Sequence, residues 1–257
     1  MIADPTAVAI LTLLGLAVGS FLNVCIHRLP RRQSLVNPPS RCPQCGYQLR
    51  WADNIPVLSY VLLGGRCRKC RTRISIRYPI VELITMGLFL LHYWAFDWTP
   101  LLAVRLLFAC AMVVLFAIDL EHQILPDAIT LPGIVVGLAC SLALPPGIVA
   151  AVLGAFAGGG VLFVIAETWS RLRHVEAMGF GDVKMLAMIG AFLGLKLVLL
   201  TFVLSSFIGG IAGGLLILSG RGSMASKVPF GTFLAIAALA ASLWGDAIVN
   251  WYVGLYV

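Results

Sequence analysis

The sequence predicts an all-α polytopic membrane protein of about eight transmembrane helices, and three observations carry that prediction. Of 257 residues, 60% are hydrophobic and only 11% charged, with a mean hydropathy of +0.99; a soluble domain carries about 25% charged residues. The apolar residues gather into runs near the length that spans a bilayer, about 20 residues. The charge is also concentrated: 11 of the 18 Lys and Arg residues fall between Arg28 and Arg77, where Asp53 is the only acid. This pattern excludes a soluble enzyme, a disordered chain and a secreted disulfide scaffold.

The predicted spans are residues 7–26, 80–96, 101–118, 128–144, 148–168, 183–200, 202–219 and 230–249. Turn-forming residues separate them at Trp98-Thr99-Pro100, Pro145-Pro146-Gly147 and Arg221-Gly222-Ser223. The division between the sixth and seventh spans has an alternative, because Gly194-Leu195-Lys196 would end the sixth early and leave it short. Asp4 is the only charge ahead of the first span, and basic residues follow it, so it reads as a retained helix with its N-terminus outside. An even count puts both termini outside and makes 28–79, 119–127, 169–182 and 220–229 cytoplasmic. These segments hold nearly all the Lys and Arg, with Lys196 outside and Arg105 near the outer end of the third span. The glycine pairs Gly15/Gly19, Gly209/Gly213 and Gly210/Gly214 read as close packing within the bundle rather than a dimer seam. No internal repeat is visible. The expected division is a first helix (1–27), a basic loop domain (28–79) and a seven-helix membrane domain (80–257).

Within the loop, Cys42-Pro43-Gln44-Cys45 and Cys67-Arg68-Lys69-Cys70 are two CxxC pairs separated by 21 residues. Two such knuckles converge on one tetrahedral zinc ion. Gly46 supplies the tight turn after the first pair. The loop is too short and too basic for a hydrophobic core of its own, so a metal staple suits it, and a reducing compartment argues against two disulfides. Four thiolates leave no open position, so this zinc is structural. The cations of the loop face anionic lipid headgroups rather than nucleic acid. Cys25, Cys110 and Cys140 lie in apolar runs and read as inert small hydrophobes.

Acids at spans are costly and are functional candidates. Asp119 closes the third span and Asp182 opens the sixth, in Gly179-Phe180-Gly181-Asp182. The predicted topology puts both at the cytoplasmic face, where they can meet as an aspartic protease pair sharing one proton. On the residues alone, Asp182 also reads as a helix cap and Asp119 as a boundary acid. Asp127 precedes the fourth span and reads as a cap. Lys184 reads as a snorkelling lysine and Glu167 as a boundary acid. Glu82 lies a few residues into the second span, where it pairs with Arg77 or serves another activity.

Five stretches together resemble the type IV prepilin peptidases, membrane GxGD aspartic proteases also called prepilin leader peptidase/N-methyltransferases. They are Gly19-Ser20-Phe21-Leu22-Asn23-Val24 with Arg28-Leu29-Pro30; the two CxxC pairs with Asp53-Asn54-Ile55-Pro56 between them; Arg77-Tyr78-Pro79 with Glu82; Ile118-Asp119 through Leu125-Pro126-Asp127; and Gly179 to Lys184 with a later Pro229-Phe230-Gly231. The resemblance implies a bifunctional enzyme of the bacterial inner membrane, with periplasmic termini and a cytoplasmic active site. It would cleave the leader of type IV prepilins, or of type II secretion pseudopilins, after glycine. It would then N-methylate the new terminus with S-adenosylmethionine. It implies catalytic roles for Asp119 and Asp182. One departure is visible: the last motif commonly continues to proline, and here Thr232 follows Gly231, a change expected to affect only the stiffness of a helix start.

No strand–GxGxxG–helix unit is present, so methyl transfer rests on the resemblance alone, with the loop and Glu82 as its expected place. A peptidase without methylation is the alternative. A proton-coupled transporter would place acids near mid-membrane in repeated halves, which this chain does not do. The expected partners are prepilins or pseudopilins and membrane lipids. Pilus assembly and type II secretion are equal readings.

Overall fold

The computed structural model describes residues 4–173, 179–219 and 229–255. The predicted turn at Arg221-Gly222-Ser223 lies outside the described residues, as do 174–178 and 220–228 of the predicted cytoplasmic segments. Among the described residues the chain is helical and has no strand, only isolated bridges pairing Arg41 with Gln48 and Arg66 with Arg73. The helices are α1 (Pro5–Arg28), α2 (Leu58–Leu62), α3 (Arg77–Phe96), α4 (Pro100–His122), α5 (Asp127–Cys140), α6 (Ile148–Arg173), α7 (Phe180–Leu218) and α8 (Phe230–Val253), with a 3-10 turn at Trp51–Asp53. Six of them (α1, α3, α4, α6, α7 and α8) are long and apolar enough to cross a membrane, and α5 is a shorter apolar helix. Large apolar side chains such as Leu13, Phe156 and Phe207 are exposed on their flanks, as suits contact with lipid. The protein is therefore a multi-pass membrane protein.

Three predicted boundaries change. The predicted sixth and seventh spans run together in the 39 residues of α7, interrupted only at Gly194 (φ 79, ψ 175). A straight helix of that length would reach about 58 Å, nearly twice the hydrocarbon core of about 30 Å, so the break at Gly194 is what lets the segment fit. Only glycine tolerates that backbone conformation, and a Cβ there would stand 2.8 Å from Pro146 Cβ. The sixth span thus ends early, and residues 180–193 rise only about 21 Å. The fourth span is likewise shorter than predicted: α5 stops at Cys140 with Ser141 as its C-cap. In the other direction, α6 continues past Thr168 to Arg173.

The chain divides into two compact units, Met1–Val114 and Leu115–Val257, with the division inside α4. In the first unit α1, α3 and the start of α4 pack around Ala7, Leu11, Phe89, Tyr93 and Leu102. Gly15 and Gly19 make the expected close packing, since a Cβ at either would stand 2.7 Å from the Cα of Met86 or Glu82 respectively. The later glycine pairs differ from expectation. Gly209 meets Phe233, but Gly210, Gly213 and Gly214 have nothing within 4 Å of a Cβ position. In the second unit the first limb of α7 is the core, with Met185, Leu186, Met188, Ile189 and Ala191 buried. It packs against α6 backbone to backbone at Gly154 and Gly190. That burial fixes the start of α7, where Asp182 lies.

Candidate active site and metal-binding cluster

The second unit brings Asp119 and Asp182 near one another. Asp119 lies on the last turn of α4 and is buried. Its Oδ2 accepts two hydrogen bonds from Thr232, one from the backbone N–H at 2.7 Å and one from Oγ1 at 3.0 Å. Thr232 is in the first turn of α8, which begins at Phe230. A helix N-terminus offers unpaired N–H groups and the positive end of the helix dipole, so α8 points its anion-binding end at this carboxylate. Gly231 makes the approach possible, because a Cβ there would stand 3.0 Å from Asp119 Oδ2. Asp182 sits in the first turn of α7, half-buried. Leu125 touches both sites, lying 2.9 Å from a Cβ position at Gly181 and 3.0 Å from one at Gly231.

Neither flanking acid is a helix cap as expected. Gly179 is the N-cap of α7 and Pro126 that of α5, without side-chain capping bonds, so Asp182 and Asp127 lie inside their helices. Asp127 instead forms an ion pair with Lys184, joining the starts of α5 and α7. Lys184 is therefore an ion-pair partner rather than a free snorkelling lysine.

In the first unit, Cys42, Cys45, Cys67 and Cys70 gather with all four sulfurs within 4.8 Å of one another. Cys42 Sγ lies 3.8 Å from Cys70 Sγ, and Cys45 Sγ lies 4.0 Å from Cys67 Sγ. Disulfide sulfurs would be about 2.05 Å apart. A tetrahedron with Zn–S bonds of about 2.3 Å has edges of about 3.8 Å, so the cluster can hold a metal ion and has the dimensions zinc needs. Two matching knuckles build it. In one, the Gly46 N–H donates to Cys42 O and the Cys42 N–H to Tyr47 O; in the other, the Arg71 N–H donates to Cys67 O and the Cys67 N–H to Thr72 O. Gly46 (φ 67) and Arg71 (φ 59) occupy the same left-handed position in each. Beside the cluster, Arg68 Nε donates to Asp53 Oδ1 at 2.6 Å. Burial opposes ionisation of Asp53, but Arg68, the Arg50 N–H and Tyr47 together hold its carboxyl below the usual range. Cys25, Cys110 and Cys140 are unbridged.

Glu82 is buried on α3. Its Oε2 accepts the Val57 N–H at 2.7 Å and its side chain also bonds Ser20. Thr232 was hidden in the sequence because a threonine at a helix start reads as ordinary. Its one signal was that it stands where the resembling motif carries proline.

The chain matches the bacterial peptidase A24 N-terminal domain over residues 13–96 and the type IV leader peptidase family over residues 106–214. A prepilin leader peptidase/N-methyltransferase of Pseudomonas aeruginosa is 37% identical, covering 97% of this chain and 95% of the relative. One of Aeromonas salmonicida is 40% identical over 93% and 91%, and one of Myxococcus xanthus is 43% identical over 84% and 64%. No solved structure matches significantly.

Proposed function

The chain belongs to the type IV leader peptidase family, and on that premise we propose that it is a bifunctional prepilin leader peptidase and N-methyltransferase. It cleaves the leader of type IV prepilins or type II secretion pseudopilins after glycine, and methylates the new N-terminal amine. The observation that carries the peptidase half is the buried Asp119 carboxylate held at the start of α8, with Leu125 packed against both that start and the first turn of α7, which carries Asp182.

In this reading the two carboxylates face each other and share one proton, as like charges a few ångströms apart do. The ionised carboxylate takes a proton from water, the resulting hydroxide adds to the carbonyl carbon, and the protonated carboxyl donates to the carbonyl oxygen. Collapse of the tetrahedral intermediate breaks the C–N bond, and the departing amine takes a proton from the pair. Asp119 Oδ2 is already engaged by Thr232, so Oδ1 is the oxygen available for these transfers. In the second activity, the amine forms a bond to a methyl carbon as the sulfur–carbon bond breaks, and a proton passes to solvent. S-adenosylmethionine supplies that methyl when bound, as an electrophile on a positively charged sulfur.

In this reading Cys42, Cys45, Cys67 and Cys70 hold a structural zinc. The chain lies in the bacterial inner membrane with both termini periplasmic and the two aspartates at the cytoplasmic face. The arginine-rich loop lies against anionic headgroups.

Incubating the detergent-solubilised protein with a prepilin and labelled S-adenosylmethionine reports both activities. Wild type should cleave and then label the product. Asp119→Asn and Asp182→Asn should each abolish cleavage, and normal cleavage by either would remove the aspartate pair from the mechanism. Cleavage without label would reduce the protein to a peptidase.

A further inference from the structure

Residues 20–82 of the first unit line a cavity of about 990 Å³ that leader cleavage leaves unused. It lies where α1 meets α3 beside the loop. The helices approach so closely at Gly15 and Gly19 that the polar groups just beyond the crossing, on Ser20, Asn23 and Glu82, line this space. Two of them are deeply buried. Asn23 is 1% exposed; its Nδ2 donates to the carbonyls of Gly19 at 3.3 Å and Tyr78 at 3.0 Å, but its buried Oδ1 accepts nothing. Leaving a buried acceptor bare costs on the order of 1–3 kcal/mol, and because Asn23 lines the cavity, a small rotation of its amide would bring this oxygen to a ligand there. Glu82 is 6% exposed, and the bonds it accepts come from neutral donors, the Val57 N–H and Ser20. A carboxylate and a bare amide oxygen in one buried corner make an acceptor-rich floor that suits a cation. The loop wall carries Arg41 and Arg73, which suit an anionic group.

We propose that this cavity binds the methyl donor, with the sulfonium of S-adenosylmethionine against Glu82 and Asn23 Oδ1 and its carboxylate toward the loop arginines. The proposal rests on the methyltransferase half of the function above. The residues fit the molecule in size, since small-ligand sites span about 300–1,000 Å³, and in the order of its charges. They also fit its chemistry. Methyl transfer turns the sulfonium into a neutral thioether, so a floor that holds the cation releases the product, S-adenosylhomocysteine.

That charge difference separates the proposal from a merely structural role for Glu82. Equilibrium dialysis of the full-length protein in detergent should show S-adenosylmethionine bound more tightly than S-adenosylhomocysteine. Glu82→Gln keeps an acceptor for the Val57 N–H but removes the charge. It should weaken S-adenosylmethionine binding about tenfold and leave S-adenosylhomocysteine within about twofold, which removes the preference. Bound zinc and the melting transition report whether the variant is folded. If Glu82→Gln does not fold, Val24→Trp fills the same cavity and should abolish binding of both ligands. Unchanged preference in Glu82→Gln, or undiminished binding in Val24→Trp, overturns the site while leaving the function standing. A wild type that cleaves prepilin but neither binds nor transfers from S-adenosylmethionine overturns the methyltransferase function itself, and the site with it.

Discussion

Asp119 Oδ2 takes both of its hydrogen bonds from one residue, the N–H and the hydroxyl of Thr232. Two donors on one oxygen hold the carboxylate in place and, in the proposed mechanism, leave Oδ1 for water. Thr232→Val keeps the shape and the N–H bond but deletes the hydroxyl. A hydrogen bond to a charged group contributes about 1.5 kcal/mol or more, so kcat for leader cleavage should fall about tenfold with little change in KM. An unchanged kcat would mean that the backbone N–H alone orients Asp119. The aspartates themselves were legible in the sequence because acids beside apolar runs are rare enough to be weighed singly. Thr232 was not legible, and position 232 was expected to matter only for helix stiffness. Its importance arises from a contact across 113 positions, which no local pattern encodes. Lys184 and Asp127 were misread for the same reason: each looks ordinary in its own segment, and their pairing exists only once α5 and α7 start side by side.

At the scale of elements, hydropathy located every apolar segment but misplaced a junction. Residues 183–219 are apolar almost throughout, so composition offers no sharp boundary there, and the sign the sequence gives is Gly194-Leu195-Lys196, the alternative early end of the sixth span. The structure puts the break at Gly194, with a backbone conformation closed to other residues and Pro146 packed where a Cβ would point. This break divides α7 and leaves a short first limb, which carries Asp182. Gly194→Ala should therefore destabilise the protein by about 3 kcal/mol or more, combining backbone strain with overpacking. Gly213→Ala is the matched control on the second limb of α7, where nothing lies within 4 Å of a Cβ position, and it should be neutral to slightly stabilising. Thermal unfolding in detergent compares the two, and equal melting temperatures would show that the break at Gly194 is not required.

Across the whole molecule, the apolar helices and the basic loop are held by different forces, and the composition already separated them. The helices have extensive apolar packing. In the loop between Leu29 and Ile76, the buried residues are Cys42, Ser59 and Cys67, so two of the three are thiols of the cluster. Its regular structure amounts to the 3-10 turn, the five residues of α2 and two isolated bridges. A segment with so little apolar burial cannot offset its ordering entropy, so under the proposed reading a bound zinc serves as its core. The cysteine spacing made the four-thiol cluster legible in advance; the sulfur–sulfur distances of 3.8 and 4.0 Å add the geometry. Stripping the metal, or replacing Cys42 or Cys67 with serine, should release one zinc per chain and unfold the loop. The arginines at 41, 50, 66, 68, 71 and 73 should then become trypsin sites, and the intact protein should resist cleavage there. Helical circular dichroism should hardly change, because the helices outside the loop do not depend on the ion. Cleavage at those arginines before and after chelation at the same rate, with no zinc in the purified protein, would show that the four thiols fold the loop without a metal.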